Sequence, residues 1–277
     1  MKLSILPRVI LRAGLALVLI AGLTYVATAA RPSAPAGKPN LTVDRDRVVA
    51  SCYFEVQTFA ADDCAVQEGC LGPMDYKPDD NPDTENFSDD GVPGGPRRLM
   101  RFDVAIQNRG TADAVLGPPP PIPTGPPPVN LEYEYSQCHG HWHFKNFVEY
   151  TMFEVVGGMR GEKVAAGRKQ AFCLEDFERI PSFKGAGKWK YRCSDQGITV
   201  GWQDVYRAHL DCQWMDVSQL APGEYELWVA VDVVEKFAEL REDDNVAKVR
   251  ITIPAHDLAA EVVAESGKSE KGCCGAD

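Results

Sequence analysis

The chain has 277 residues, of which 44% are hydrophobic and 25% charged, and a formal net charge of -11. That length supports one large domain or two small ones with a substantial core. An acidic balance of this size repels nucleic acid, so no nucleic-acid partner is expected, and it favours solubility and cationic partners.

Lys2, Arg8 and Arg12 precede an uncharged run, Ala13 to Ala30, which ends in Ala27-Thr28-Ala29. Small residues at that exit suit signal peptidase, while the length of the run also suits a membrane anchor. Residues 1–30 are therefore read as a signal peptide or an N-terminal anchor. On either reading the body is exported, secreted or extracytoplasmic, with membrane tethering if the segment is kept. Export makes the nine cysteines disulfide candidates before metal ligands, and an odd total leaves at least one thiol without an intramolecular partner. Cys64 and Cys70 are close enough in sequence to close a small loop. Cys138, Cys173, Cys193 and Cys212 are spread through the body, and Cys52 lies near a first strand.

Residues 31–39 form a Pro/Ala/Gly linker. Strand signals follow at Leu41 to Val43 and from Val48 to Phe59. Residues 71–97 are acidic and rich in Pro, Gly and Asn, with too little apolar surface to pack, and read as a solvated loop. Leu99 to Gln107 reads as a strand and Asn108-Arg109-Gly110 as the turn behind it. Residues 117–128 contain too many prolines for a ladder and form a stiff, extended connection. Strand-like or irregular stretches follow at Trp142 to Val156, Lys163 to Leu174 and Ile198 to Tyr206. Pro222-Gly223 turns into Glu224 to Val233. In the last strand, Val246 to Ile253, Ala247, Val249, Ile251 and Ile253 alternate with their neighbours and share one face. Helix-period stretches are scarce. The expected fold is mainly β: an antiparallel β-sandwich over residues 40–254 with long irregular loops, followed by a flexible tail, 255–277.

Three of the five histidines stand in Cys138-His139-Gly140-His141-Trp142-His143. In an extended chain, positions i, i+2 and i+4 share a face, so three imidazoles can converge on one ion and leave coordination positions open. Histidines alone do not choose copper over zinc. His209 and His256 are isolated and read as solvated surface residues.

The histidine stretch resembles the copper-binding segment of lysyl oxidases. Gly167 to Asp176 is similar to the family segment that contains the cofactor lysine, which assigns that role to Lys169. Asp204 to Trp214 is similar to the segment that contains the cofactor tyrosine, which falls on Tyr206. Asn40-Leu41, Cys64 to Gly72 and Arg98 to Gly110 also look like the start of that catalytic domain, so the resemblance runs from about Asn40 to Ile253. It implies copper on His139, His141 and His143 and a lysyl tyrosylquinone formed from Lys169 and Tyr206. The implied activity is oxidative deamination of primary amines, either lysyl side chains of proteins or small amines, to aldehydes. Dioxygen is the oxidant, and hydrogen peroxide and ammonia are released. Asp204, two residues before Tyr206, is the candidate base. The resemblance also implies calcium held by Asn40, the Leu41 carbonyl, Glu239, Asp244 and Asn245.

In family terms the expected bridges are Cys64–Cys70 and Cys138–Cys193. Cys173 and Cys212 would then pair with each other, or one of them with Cys52. The chain departs from the animal pattern in several places. Trp202 replaces a cysteine, Asn146 and Phe147 replace an acidic pair after the histidines, and Arg241 replaces an acid near the calcium residues. Two other classes fit the histidines alone: a non-catalytic, secreted copper-binding β-sandwich module and a zinc hydrolase. Neither needs the Lys169/Tyr206 pair.

Overall fold

The computed structural model describes residues 37–71, 94–126, 132–167 and 173–256, with the backbone of 270–271. Residues 1–30, most of the linker, most of the acidic loop, Lys169 and Cys273-Cys274 lie outside the described residues.

In chain order the elements are β1 (Leu41–Val43), α1 (Arg45–Ser51), β2 (Tyr53–Phe59), α2 (Cys64–Gln67), β3 (Gly95–Arg101) and β4 (Val104–Asn108). There follow β5 (Ala114–Gly117), β6 (Tyr133–Ser136), β7 (His141–Phe144), β8 (Val148–Val156), β9 (Met159–Gly167) and β10 (Glu178–Arg179). The last are β11 (Gln196–Ile198), β12 (Trp202–Tyr206), β13 (Trp214–Asp216), β14 (Gly223–Val231), β15 (Val246–Ile253) and β16 (Glu270–Lys271). The fold is mainly β, and the strands pair antiparallel, as the alternating patterns predict. No described helix is long and apolar enough to cross a membrane.

Two four-stranded sheets, β1-β4-β12-β10 and β15-β14-β8-β9, contribute to one apolar cluster. Leu41, Val104, Ile106 and Tyr206 come from the first, and Tyr150, Met152, Leu227, Val229, Val249 and Ile251 from the second. A third sheet, β13-β3-β2-β16, adds Phe54, Met100 and Met215. Each fully buried Leu, Ile or Phe contributes about 1.5–3 kcal/mol relative to exposure. In β15 the side chains of Ala247, Val249, Ile251 and Ile253 are the buried ones, so its sequence periodicity is read correctly.

Two expected strands are broken. The stretch Val48 to Phe59 begins as helix α1, because the Asp44 side chain caps it by accepting from the Arg47 N–H at 3.2 Å. Only from Tyr53 is it extended. The stretch Leu99 to Gln107 divides at Phe102-Asp103 into β3 and β4, which belong to different sheets. At the break, side chains satisfy the backbone in place of a ladder. The Asp103 N–H donates to the Ser51 hydroxyl at 2.7 Å, and Asp103 Oδ1 accepts from the Ala208 N–H at 2.8 Å. Within the tail read as flexible, Glu270 and Lys271 pair with Phe54 and Tyr53 of β2.

Strand β12 matters most for the site. It lies between β4 and β10, and its register sets Asp204 opposite Ile106 and Tyr206 opposite Val104. At the end of β4, Gly110 is a close-approach position: a Cβ there would meet the Lys38 carbonyl oxygen at 2.4 Å and the Asn40 nitrogen at 2.5 Å. A side chain would push the lead into β1 away from Asn108.

Candidate metal centre and buried tyrosine

The histidine segment is a hairpin, with Ser136 opposite His141 and Glu134 opposite His143. Only His141 and His143 lie on extended strand. His139 sits in the four-residue turn, where Gly140 adopts φ +71°. The turn folds the His139 ring back over His141, nearly parallel to it, with centroids 5.4 Å apart. One ring nitrogen from each histidine lies within 4.8 Å of the other two, and His141 Nε2 and His143 Nε2 are 3.0 Å apart. Two imidazole nitrogens bound to one ion at 2.0–2.1 Å stand about 3.3 Å from each other in tetrahedral geometry. The spacing therefore suits ligation of a single ion, or one proton shared by two neutral rings. His139 Nε2 is buried and has no hydrogen-bond partner among the described residues, which is costly unless something fills the position. The donor set fits a borderline metal such as copper or zinc. The indole of Trp142 donates to the Pro121 carbonyl at 3.2 Å, so the proline-rich connection buttresses the hairpin.

Carboxylates that the sequence did not single out surround His139. Glu68 Oε2 is 3.3 Å from its Nδ1, and Asp211 Oδ2 is 3.6 Å from its Nε2, too long for a hydrogen bond. Glu68 lies inside the Cys64 to Gly72 segment, but nothing local in that segment points to a histidine some seventy residues on.

A cavity of about 480 Å³ opens onto the hairpin. All three histidines line it, together with Glu68, Glu134, Tyr135, Asp211, Leu210 and Tyr206. Tyr206 is otherwise buried, and its hydroxyl donates to the Cys173 carbonyl at 3.0 Å. Burial, reinforced by the nearby Asp204 carboxyl, raises the phenol well above its ordinary range. Asp204 is buried as well, and burial pushes its carboxyl far upward, although a hydrogen bond with Tyr206 opposes the shift. Its Oδ2 has no partner among the described residues. Half-buried Glu175 is also raised, by burial and then by the charge of Asp176. Lys169 lies outside the described residues, between the end of β9 at Gly167 and Cys173.

The expected disulfide pairing is wrong. Cys64 bridges Cys138, Cys70 bridges Cys212, and Cys173 bridges Cys193. The Cys64–Cys70 and Cys138–Cys193 bonds do not form, nor does Cys173 join Cys212 or Cys52. The reason is tertiary. Helix α2 packs beside the histidine turn, which brings Cys64 and Cys138 to a Cα separation of 5.6 Å.

The five residues expected to hold calcium come together at the start of β1 and the β14–β15 connection. Asn40 Nδ2 donates to Asp244 at 3.1 Å, and Asn245 Nδ2 donates to Glu239 Oε1 at 2.9 Å. Leu41 meets the other Glu239 oxygen through its N–H, where the sequence reading used its carbonyl. Asn40 Oδ1, Asp244 Oδ1 and Asn245 Oδ1 are all buried without a hydrogen-bond partner among the described residues. Burial raises the Glu239 carboxyl from 4.5 to about 7. Three orphaned oxygens beside a buried carboxyl fit a hard cation. Arg241 is exposed and pairs with Asp243 and Asp244.

Residues 39–262 match the family model described as lysyl oxidase. Human lysyl oxidase homolog 2 is 31% identical over 223 residues, covering 79% of this chain and 25% of that protein. Human lysyl oxidase homolog 1 is 33% identical over 217 residues, covering 78% of this chain and 33% of that protein. The chain thus spans a quarter to a third of the length of these relatives. A crystal structure of the CARDB domain of a Pyrococcus furiosus protein in complex with di-metal ions aligns at 10% identity and a TM-score of 0.25. That alignment covers 78% of this chain and 88% of that one, and is too distant to bear on the fold. By the family match and the extent of the identity, this chain belongs to the lysyl oxidase family.

Proposed function

We propose that the chain is an exported copper amine oxidase that converts primary amines, lysyl side chains or small amines, to aldehydes. The balanced reaction consumes one amine, one dioxygen and one water, and yields one aldehyde, one ammonia and one hydrogen peroxide. The observation that carries this reading is that Tyr206 and the three histidines line one cavity. His139, His141 and His143 would hold copper, and Lys169 and Tyr206 would form the lysyl tyrosylquinone. When present, these groups supply one-electron chemistry with dioxygen and a carbonyl with which a primary amine condenses.

The remaining roles belong to the chain's own side chains. The Cys173 carbonyl fixes the orientation of the Tyr206 hydroxyl. Asp204 is hydrogen-bonded to Tyr206, and burial raises its carboxyl well above the ordinary aspartate value, so it takes up a proton more readily than an ordinary aspartate does. It is the proposed base for the substrate α-proton. Tyr135 and Leu210 supply apolar wall, and Glu134 and Asp211 give the mouth negative charge suited to an ammonium substrate. Calcium at Asn40, Leu41, Glu239, Asp244 and Asn245 would tie β1 to the β14–β15 connection.

The test is tryptic mass spectrometry of copper-loaded protein kept in air and treated with phenylhydrazine. The expected product is a hydrazone on a Lys169–Tyr206 crosslinked peptide. An unmodified Tyr206 peptide from a preparation that releases peroxide from amines rules the mechanism out.

A further inference from the structure

Helix α2 is a single turn, yet the segment it opens is fastened at both ends, to the histidine turn and to the segment before β13. Cys64 bridges Cys138, the neighbour of His139, and Cys70 bridges Cys212, the neighbour of Asp211. Between those cysteines the backbone is closely specified. The Glu68 N–H donates to the Cys64 carbonyl at 2.9 Å, Gly69 adopts φ +65°, and the Cys70 N–H donates to the Ala65 carbonyl at 2.8 Å. Glu68 thus projects from a turn with little freedom to move.

Its carboxylate is fully engaged. Oε2 faces His139 Nδ1 at 3.3 Å, and Oε1 accepts from the Ser136 hydroxyl. The Ser136 oxygen in turn accepts from the backbone N–H of His139 at 2.9 Å, which closes a ring of contacts around that residue. The Glu68 and His139 side chains are only 19% and 20% exposed, so solvent competes weakly for these bonds. The opposite ring nitrogen, Nε2, is the buried atom with no hydrogen-bond partner among the described residues. A neutral imidazole carries one N–H: Asp211 Oδ2 stands 3.6 Å from Nε2 on a side chain 66% exposed, whereas Glu68 is nearer and shielded, so Nδ1 keeps the proton. The lone pair then belongs to Nε2, the nitrogen that a metal takes.

We infer that Glu68 is a positioning residue of the metal centre. By accepting the Nδ1–H of His139 it fixes the tautomer and ring plane that present Nε2 to the ion, and the disulfides at Cys64 and Cys70 hold it in place. The inference rests on the proposed role of His139 as a ligand.

The experiment uses the full exported chain with Glu68→Ala, Glu68→Gln and Ser136→Ala, and two readouts. The first is nitrogen NMR of His139 in metal-free protein. The expected result is an Nδ1–H tautomer in the unsubstituted protein and in Glu68→Gln, whose amide oxygen still accepts, and a mixture in Glu68→Ala. The second is copper affinity by chelator competition. Glu68→Ala is expected to bind about 10–100-fold more weakly. Glu68→Gln should retain most of the affinity, and Ser136→Ala should show a smaller loss in the same direction. On a His139→Ala background, Glu68→Ala should cost nothing further. An Nε2–H tautomer in the unsubstituted protein overturns the inference. So does undiminished copper affinity in Glu68→Ala, or an equal loss when His139 is absent. If Glu68→Ala does not fold, Ser136→Ala and the tautomer of the unsubstituted protein still decide. Failure of the unsubstituted protein to bind copper counts against the proposed function, while the tautomer continues to judge Glu68.

Discussion

The hydroxyl of Tyr206 donates to the carbonyl oxygen of Cys173 at 3.0 Å, joining residues 33 apart in sequence. Cys173 is itself bridged to Cys193, so this acceptor sits on a stapled segment, and Lys169 lies four residues upstream of it. Tyr206→Phe removes the oxidisable hydroxyl and strands both the carbonyl and the Asp204 carboxyl. It should cost about 1–3 kcal/mol in chemical denaturation. Copper stoichiometry should be unchanged, and phenylhydrazine should label nothing.

Copper binding should depend on the whole histidine set. His141→Ala removes one of two nitrogens that stand 3.0 Å apart, and elemental analysis after loading and desalting should find almost no copper. In the unsubstituted protein, affinity should fall as pH drops below neutrality, because imidazoles must be neutral to ligate. A His141→Ala protein with full copper would move the site elsewhere.

The second cation site should have a pH signature set by Glu239. Burial raises its carboxyl from 4.5 to about 7 in the folded protein. A raised carboxyl favours the fold below pH 4.5, and that contribution is lost as pH rises through about 7. Metal-free protein should therefore lose stability across that window. Calcium binds the carboxylate form, so its stabilising effect should grow over the same range. At a free concentration of one hundred times Kd the gain approaches about 2.7 kcal/mol. Thermal unfolding at pH 5.5 and pH 8, with and without calcium, measures this. Asp244→Asn should shrink the calcium shift, and an equal shift at both pH values would contradict the assignment.

Peptide mapping without reduction should recover Cys64–Cys138, Cys70–Cys212 and Cys173–Cys193. The Cys70–Cys212 bridge has a sequence separation of 142, and removing it with a double Cys→Ala change should cost about 2–5 kcal/mol. A Cys64–Cys70 peptide would show that α2 is not fastened to the histidine hairpin.

The sequence by itself determined the β class, the alternation of Val246 to Ile253 and the histidine triplet, because each is encoded by residues a few positions apart. Family-like motifs singled out Tyr206, and the structure brings it to the cavity that the histidines line. Local reading failed where a specific side-chain contact overrides the propensity pattern. Val48 to Phe59 is rich in strand formers, but the Asp44 cap turns its first four residues into helix. Leu99 to Gln107 is apolar enough for one strand, but Asp103 is claimed by Ser51 and Ala208 and divides it. The cysteines gave the same lesson more sharply. Cys64 and Cys70 are neighbours in sequence, yet each bonds to a distant partner, because bridge geometry is set by packed Cα positions and not by chain spacing. Only the tertiary structure set Glu68 against His139 Nδ1 and left Nε2 buried without a hydrogen-bond partner among the described residues. Whether an imidazole has a carboxylate partner depends on which element packs beside it, and a segment that opens with one turn of helix, stapled at both ends, supplies that partner here.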